Sequence, residues 1–278
     1  MIELSFLGPP QVLVNGHSIT ARLDKKEIAL LAYLAAQQGE VTREKVAALL
    51  WGEKDDQCAR HNLRQALTKI KQVLPGVIDG QGRHVLVLDQ AVRLRTDLWQ
   101  FEDCLRHGDL ASGCALYRGP LLDGLGLRSA DAFEDWLTEC RRYYERLALD
   151  GLTDLIGAVE QRRDIAARER YARQMLTIDP LKERAYRALL LALGRAGRFN
   201  EALQLYGQCV EKLRRDLGIA PSAETTSVYE SILLARSTRR PELPYHPATF
   251  VGRERELAEA TARLLDPACR LLTLLARG

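Results

Sequence analysis

The sequence predicts a mainly α fold with a small α+β part at its N-terminus. Three observations carry this. Within residues 1–96, period-two apolar alternation and glycine turns lie on both sides of a helical stretch, and strand signals vanish from Asp97 on. Residues 97–237 then place apolar side chains at helical spacing, with a repeat near 35 residues. The charge is uneven as well. Residues 1–96 hold 13 Lys and Arg against 10 Asp and Glu, so the whole net charge of +3 lies there and the remainder sums to zero. A basic excess confined to one small part says where to look for an acidic partner.

A chain of 278 residues has room for about two domains at roughly 100–200 residues each. Apolar content of 46% and charged content of 28% are those of a globular chain, not a disordered one. No apolar run approaches the roughly 20 residues of a membrane helix. The start, MIELSFLGPP, has neither the basic n-region nor the apolar core of a secretory signal. A cytoplasmic protein without a membrane partner is expected. The cysteines Cys58, Cys104, Cys114, Cys140, Cys209 and Cys269 include no C-x-x-C, and no two histidines share metal-ligand spacing. They read as free thiols in a reducing compartment. Neither a metal nor a cofactor is expected, and no nucleophile with a base partner is legible, so the chain does not read as an enzyme.

The opening segments IELSFLG and QVLVNGHSI read as two or three short strands, with Asn15-Gly16 as a hairpin turn because both residues tolerate φ > 0. In RLDKKEIALLAYLAAQQG, Asp24 and Glu27 form a capping arrangement, Ile28, Leu31, Leu34 and Ala35 recur at helical spacing, and Gly39 is the expected stop. Thr42 caps a short helix, REKVAALLW, and Asp55 or Asp56 starts the next.

That third helix contains ARHNLRQALTKIKQVL. At 100° per residue, Leu63, Ala66, Leu67, Ile70 and Leu74 form one stripe. Opposite lie His61, Gln65, Thr68 and Gln72, flanked by Arg60, Asn62, Arg64, Lys69 and Lys71. A solvated helix usually mixes Glu with Lys, yet no acid occurs between Gln57 and Ile78. Guanidinium, ammonium, amide, imidazole and hydroxyl groups are those that pair with phosphates and base edges. VIDGQGRHVLVLD then reads as strand, turn, strand, and VRLRT as a further strand with Arg93 and Arg95 on one face. Strands, three helices and a hairpin make a winged helix-turn-helix. Its last helix enters the major groove, and its hairpin tip, residues 79–83, offers Arg83 and the adjoining His84 as wing contacts to DNA.

RLDKKEIALLAYLA, TREKVAALLW and, most specifically, ARHNLRQALTKIKQVL resemble the OmpR-like winged helix of SARP-type bacterial transcriptional activators. The family typically has more Arg near the end of the last string. Here Lys69 and Lys71 keep the charge without the bidentate geometry of Arg. After the wing glycines the family often has an aromatic-Arg pair, where this chain has Arg83-His84.

In residues 97–237, DLWQFEDCLRHG opens a helix, Gly119-Pro120 and Gly124 interrupt, and FEDWLTECRRYYERLALDGLTDLIGAVEQR is one long helical pattern. Ala167 and Tyr171 recur as Ala202 and Tyr206, 35 residues on, and ALLLALGRAGRFNEALQLYGQCVEKLRRDLG matches a tetratricopeptide-type hairpin. Ala188, Gly197 and Ala202 are read as small residues that let helices approach. The result is a TPR-like α-helical repeat scaffold, whose concave side could take an unknown effector. Tyr171, Tyr186, Tyr206 and Tyr229 read either as part of such a groove or as packing. YRGPLLDGL, FEDWLTECRR and GRFNEALQLY resemble the bacterial transcriptional activator domain that follows the winged helix in SARP-type proteins. The resemblance implies an activator that binds direct-repeat double-stranded DNA as a side-by-side pair and contacts RNA polymerase.

Residues 238–278 begin with a proline-rich linker. FVGRERELAEATARLL, an amphipathic helix, and RLLTLLARG, a strand, resemble the entry to a STAND/AAA-type NTPase domain. No G-x-x-x-x-G-K-[ST] phosphate loop occurs, so no ATPase activity is expected of this chain. The leading reading is a sequence-specific DNA-binding transcriptional regulator. The alternative is a TPR-type scaffold that binds a protein or small effector without specific DNA binding.

Overall fold

The computed structural model describes residues 1–79, 84–89, 94–238 and 254–265. Strands β1 (Ile2–Ser5), β2 (Gln11–Val14) and β3 (His17–Ser18) form an antiparallel meander. Asn15 and Gly16 turn it at φ of 50° and 81°. Helix α1 (Lys25–Gln37) starts with the capping box, Asp24 N–H donating to Glu27 Oε2 at 2.7 Å. It does not stop at Gly39 as expected: Gln38 takes the left-handed C-cap at φ 51°. Strand β4 (Val41–Thr42) precedes α2 (Arg43–Trp51), whose cap is Thr42, accepting from the Lys45 N–H. Then come α3 (Asp56–Val73), β5 (Ile78–Asp79), β6 (Val85–Leu88) and β7 (Leu94–Thr96).

Two small sheets result. The VRLRT strand, β7, runs parallel to β1 and closes the order β3-β2-β1-β7. The hairpin β5–β6 is joined by β4 in the order β4-β6-β5. Strand β4 was not anticipated, since two residues carry no periodicity. Arg83 and Arg93 lie outside the described residues.

Seven helices follow in residues 97–238: α4 (Asp97–Arg106), α5 (Leu110–Leu116), α6 (Asp131–Gln161), α7 (Ile165–Ile178), α8 (Glu183–Arg195), α9 (Phe199–Leu217) and α10 (Ala223–Thr238). The fold is mainly helical with an N-terminal mixed sheet, as predicted. One apolar core runs from β1 through α1, α2 and α3 into α4 and the first half of α6. A second joins the end of α6 to α7 and α8.

The helical hairpins repeat at 34 residues, one fewer than the residue types suggest. Asp164 N–H donates to Val159 O, and Arg198 N–H to Leu193 O; Arg163 N–H donates to Glu160 O, and Gly197 N–H to Gly194 O. On that register Gly197, at φ 72°, is a turn residue like Arg163 at φ 57°, not a site of helix approach. Gly194 is the packing glycine, since a Cβ there would lie 3.1 Å from Ile232. Tyr171 and Tyr186 are buried packing residues, while Tyr206 and Tyr229 stack on each other at 4.0 Å.

Residues 1–236 form one compact unit. In the second unit the described element is α11 (Glu254–Leu264), where an amphipathic helix was expected; RLLTLLARG lies outside the described residues. No helix among the described residues is long and apolar enough to cross a membrane.

Candidate nucleic-acid interface

Helix α3 is fixed at its start by Asp55, whose carboxylate accepts the Cys58 N–H at 2.9 Å, and by acidic Asp56 in the first turn. Ala59, Leu63, Ala66, Ile70 and the following Leu74 are buried, and Leu67 is half-buried. The helix therefore faces the core with the stripe expected of it. Arg60, His61, Arg64, Gln65, Thr68, Lys71 and Gln72 are all exposed.

The exposed side has internal order. His61 and Gln65 hydrogen-bond through Nε2 and Nε2 at 2.9 Å. Thr68 Oγ1 donates to Arg64 O at 2.9 Å, which leaves the hydroxyl as an acceptor toward a ligand. Among the described residues Arg60 has only a 3.9 Å ion pair with Asp56, both side chains exposed, and such a pair holds its members weakly.

Two of the expected residues differ from the rest. Lys69 is not a free cation. Its Nζ lies 2.7 Å from Asp24 Oδ2 and 3.3 Å from Glu27 Oε2, and the hydrogen bond to Asp24, with Glu27 adding to it, raises its pKa. It ties α3 to the capping box of α1. Asn62 is half-buried on the same flank, its amide 3.8 Å from Cys58 Sγ.

On the other flank, Arg60 and Arg64 line one concavity together with Thr42, Arg43, His84 and one acid, Glu44. His84 is exposed, and its carbonyl accepts the Arg43 N–H at 2.9 Å. The first residue after the wing tip is thus brought beside the helix. Arg43 is the residue that sequence reasoning missed. It stands between α3 and the hairpin, and its Nε is buried with no hydrogen-bond partner among the described residues. One sequence signal pointed to it: a cation in the first turn of a helix is disfavoured by the helix dipole and calls for another reason to be there.

No group of three or more His, Cys, Asp or Glu that could hold a metal occurs among the described residues. Burial pushes the Cys114, Cys140 and Cys209 thiols up to about 11, so they are inert at neutral pH.

Residues 89–233, more than half of the chain, match the family described as the bacterial transcriptional activator domain. The chain belongs to the SARP-type regulators that carry this domain. Among its SARP relatives, the transcriptional regulator RedD of Streptomyces coelicolor is 26% identical, over 80% of this chain and 67% of RedD. The regulatory protein DnrI of Streptomyces peucetius is 26% identical, over 84% of this chain and 93% of DnrI. The regulatory protein AfsR of Streptomyces coelicolor is 25% identical over 93% of this chain, which spans only 29% of AfsR. Among solved structures, Mycobacterium tuberculosis EmbR in complex with a low affinity phosphopeptide has a TM-score of 0.56 at 21% identity, covering 85% of this chain and 68% of EmbR. At that identity the likeness is one of fold: this SARP-type chain shares the architecture of EmbR.

Proposed function

We propose that this chain is a sequence-specific, DNA-binding transcriptional activator that lays α3 in the major groove. The observation that supports this most is the exposed face of α3 from Arg60 to Gln72: seven polar or basic side chains with no acid among them, and His84 and Arg43 alongside. Arg64 and Gln65 read base edges, with His61 and Thr68 beside them. Arg60, Lys71 and the wing residues Arg83 and His84 hold phosphates. Gln72 extends the reading face by one turn, while Asn62 and Lys69 support the helix from its flank. Residues 1–96 act as the DNA-binding part and residues 97–237 as the helical scaffold. Residues 238–278 are a linker and the approach to an NTPase-like domain, a reading supported by the resemblance of FVGRERELAEATARLL and by α11. Binding to direct repeats as a pair, and contact with RNA polymerase, extend the reading through the SARP family.

The test is a pulldown of genomic fragments with sequencing, at about 0.15 M salt, where screening is already substantial. Wild type is compared with the double variant Arg64→Ala/Gln65→Ala. Enrichment of one direct-repeat site by wild type, lost in the variant, is expected. Sequence-blind binding by both proteins would sink the recognition assignment and leave the basic face merely electrostatic.

A further inference from the structure

A helix in the major groove, about 12 Å wide, has a phosphate backbone on either side. The two flanks of α3 are served differently. Toward the hairpin, Arg60, Arg64 and Lys71 are exposed and Arg43 stands behind them. On the opposite flank the helix's own cation is Lys69, neutralised by Asp24 and Glu27. There the groove beside Asn62, Gln65 and Lys69 is walled by Lys25, by Lys54 with the acidic Glu53 next to it, and by residues 126–128, which belong to the loop between α5 and α6. Arg128 is exposed in that wall, and neither it nor Lys25 has a side-chain ion pair or hydrogen bond among the described residues.

The loop that carries Arg128 is held on the N-terminal side of that residue, and Ala130 just beyond it is buried. Arg141 donates from Nε to Leu121 O at 2.8 Å and from Nη2 to Leu122 O at 3.0 Å. The Leu127 N–H donates to Glu134 Oε1 at 2.6 Å, and the Leu125 and Leu127 side chains are buried. A guanidinium that projects from an anchored loop, beside a helix flank whose own cation is neutralised, is pre-positioned for an anion.

We infer that Arg128, from the helical region, contacts the DNA backbone on the flank of α3 that Lys69 does not serve, with Lys25 beside it. The inference rests on α3 lying in the major groove. Its consequence is that the two parts of the chain bind DNA as one surface.

The experiment uses the full chain and two duplexes: the site that wild type selects from random-sequence DNA, and a scrambled version of it. Affinity is measured across a salt series for wild type, Arg64→Ala, Arg128→Ala and Arg128→Lys, with thermal melting of each protein. Arg128→Ala should weaken both duplexes by the same factor, roughly 3- to 10-fold, and reduce the salt slope by about 1, with melting unchanged. Arg128→Lys should restore most of the binding. Unchanged affinity and slope in Arg128→Ala, while Arg64→Ala still loses site preference, would overturn this inference alone. So would a loss confined to the selected duplex, or a fall in melting temperature that Lys does not rescue. A wild type that selects no site would overturn the proposed function and this inference together.

Discussion

Arg64, Lys71 and Lys69 sit within two turns of one helix, yet their substitutions should differ in kind. Arg64→Ala removes a group assigned to a base edge and should cost roughly 1–3 kcal/mol of specific binding, with weak-site binding less affected. Lys71→Ala removes an exposed cation and should weaken all sequences alike, lowering the salt slope by about 1. Lys69→Ala should leave that slope nearly unchanged and instead lower the melting temperature, because Glu27, with its side chain 5% exposed, loses its cation. Equilibrium titrations at several salt concentrations, with melting curves, separate the three; a Lys69→Ala slope change as large as that of Lys71→Ala would return Lys69 to the interface. The exposed face of α3 was legible because it follows from 100° per residue and needs no partner. The role of Lys69 was not, because its partner Asp24 is 45 residues away and only tertiary packing brings them together. Arg83 was legible only as a type of residue at a turn, and it lies outside the described residues.

One carboxylate of α8 gathers the start of α10, beside the contacts of Arg187 with Glu224 and Thr225. Glu183 accepts from the Ser222 N–H and hydroxyl, both at 2.8 Å, and from Thr225 Oγ1 at 2.6 Å. Burial pushes its pKa up, but the bonds from Thr225 and Ser222 and the charge of Arg187 outweigh that and leave it below the ordinary carboxylate value. A depressed carboxylate stabilises fully above its unfolded pKa and loses that contribution as pH falls through the folded one. Hydrogen exchange of α10 amides should therefore accelerate as pH drops below the ordinary value of 4.5, after correction for intrinsic rates. Glu183→Gln should show faster exchange already at neutral pH and little further change in acid; the same acid response in the variant would assign the effect elsewhere. Helices such as α1, α2 and α3 were readable because caps and apolar spacing are local signals. The short strand β4 and the parallel pairing of β7 with β1 were not, since two or three residues show no period and their partners lie far along the chain. The repeat was seen but placed one residue off. Identical residue types matched Ala167 to Ala202, whereas the turn hydrogen bonds match Arg168, itself buried against Glu160, to Ala202.

The winged helix and the helical region share more than a peptide bond. Asp97, the first residue of α4, accepts the Phe6 and Leu7 N–H groups at 2.8 Å and lies 3.6 Å from Arg118. Phe6, Leu7 and Gly8 exchange backbone hydrogen bonds with residues 118–123 of the loop before α6. Tyr33 of α1 meets Trp136 of α6 edge-on at 5.0 Å, and Trp99 Nε1 donates to Ala35 O at 2.8 Å. Because one apolar core crosses this junction, residues 1–236 should unfold in a single cooperative transition. That has a consequence for function: the proposed contact of Arg128 would be fixed relative to α3 by this shared core. Asp97→Ala tests the coupling, since it strands two buried N–H groups at a cost of about 1–3 kcal/mol each. Gly8→Ala tests it from the other strand. Gly8 has φ 116° and its added Cβ would lie 3.1 Å from Arg118 Cβ, so strain of about 1–3 kcal/mol is expected. At this size each kcal/mol shifts melting by about 2–4 °C. In calorimetry both variants should move one common transition downward. If instead a winged-helix transition separates while the helical region melts at its wild-type temperature, the core is divided at the junction, and the two parts present independent surfaces to DNA.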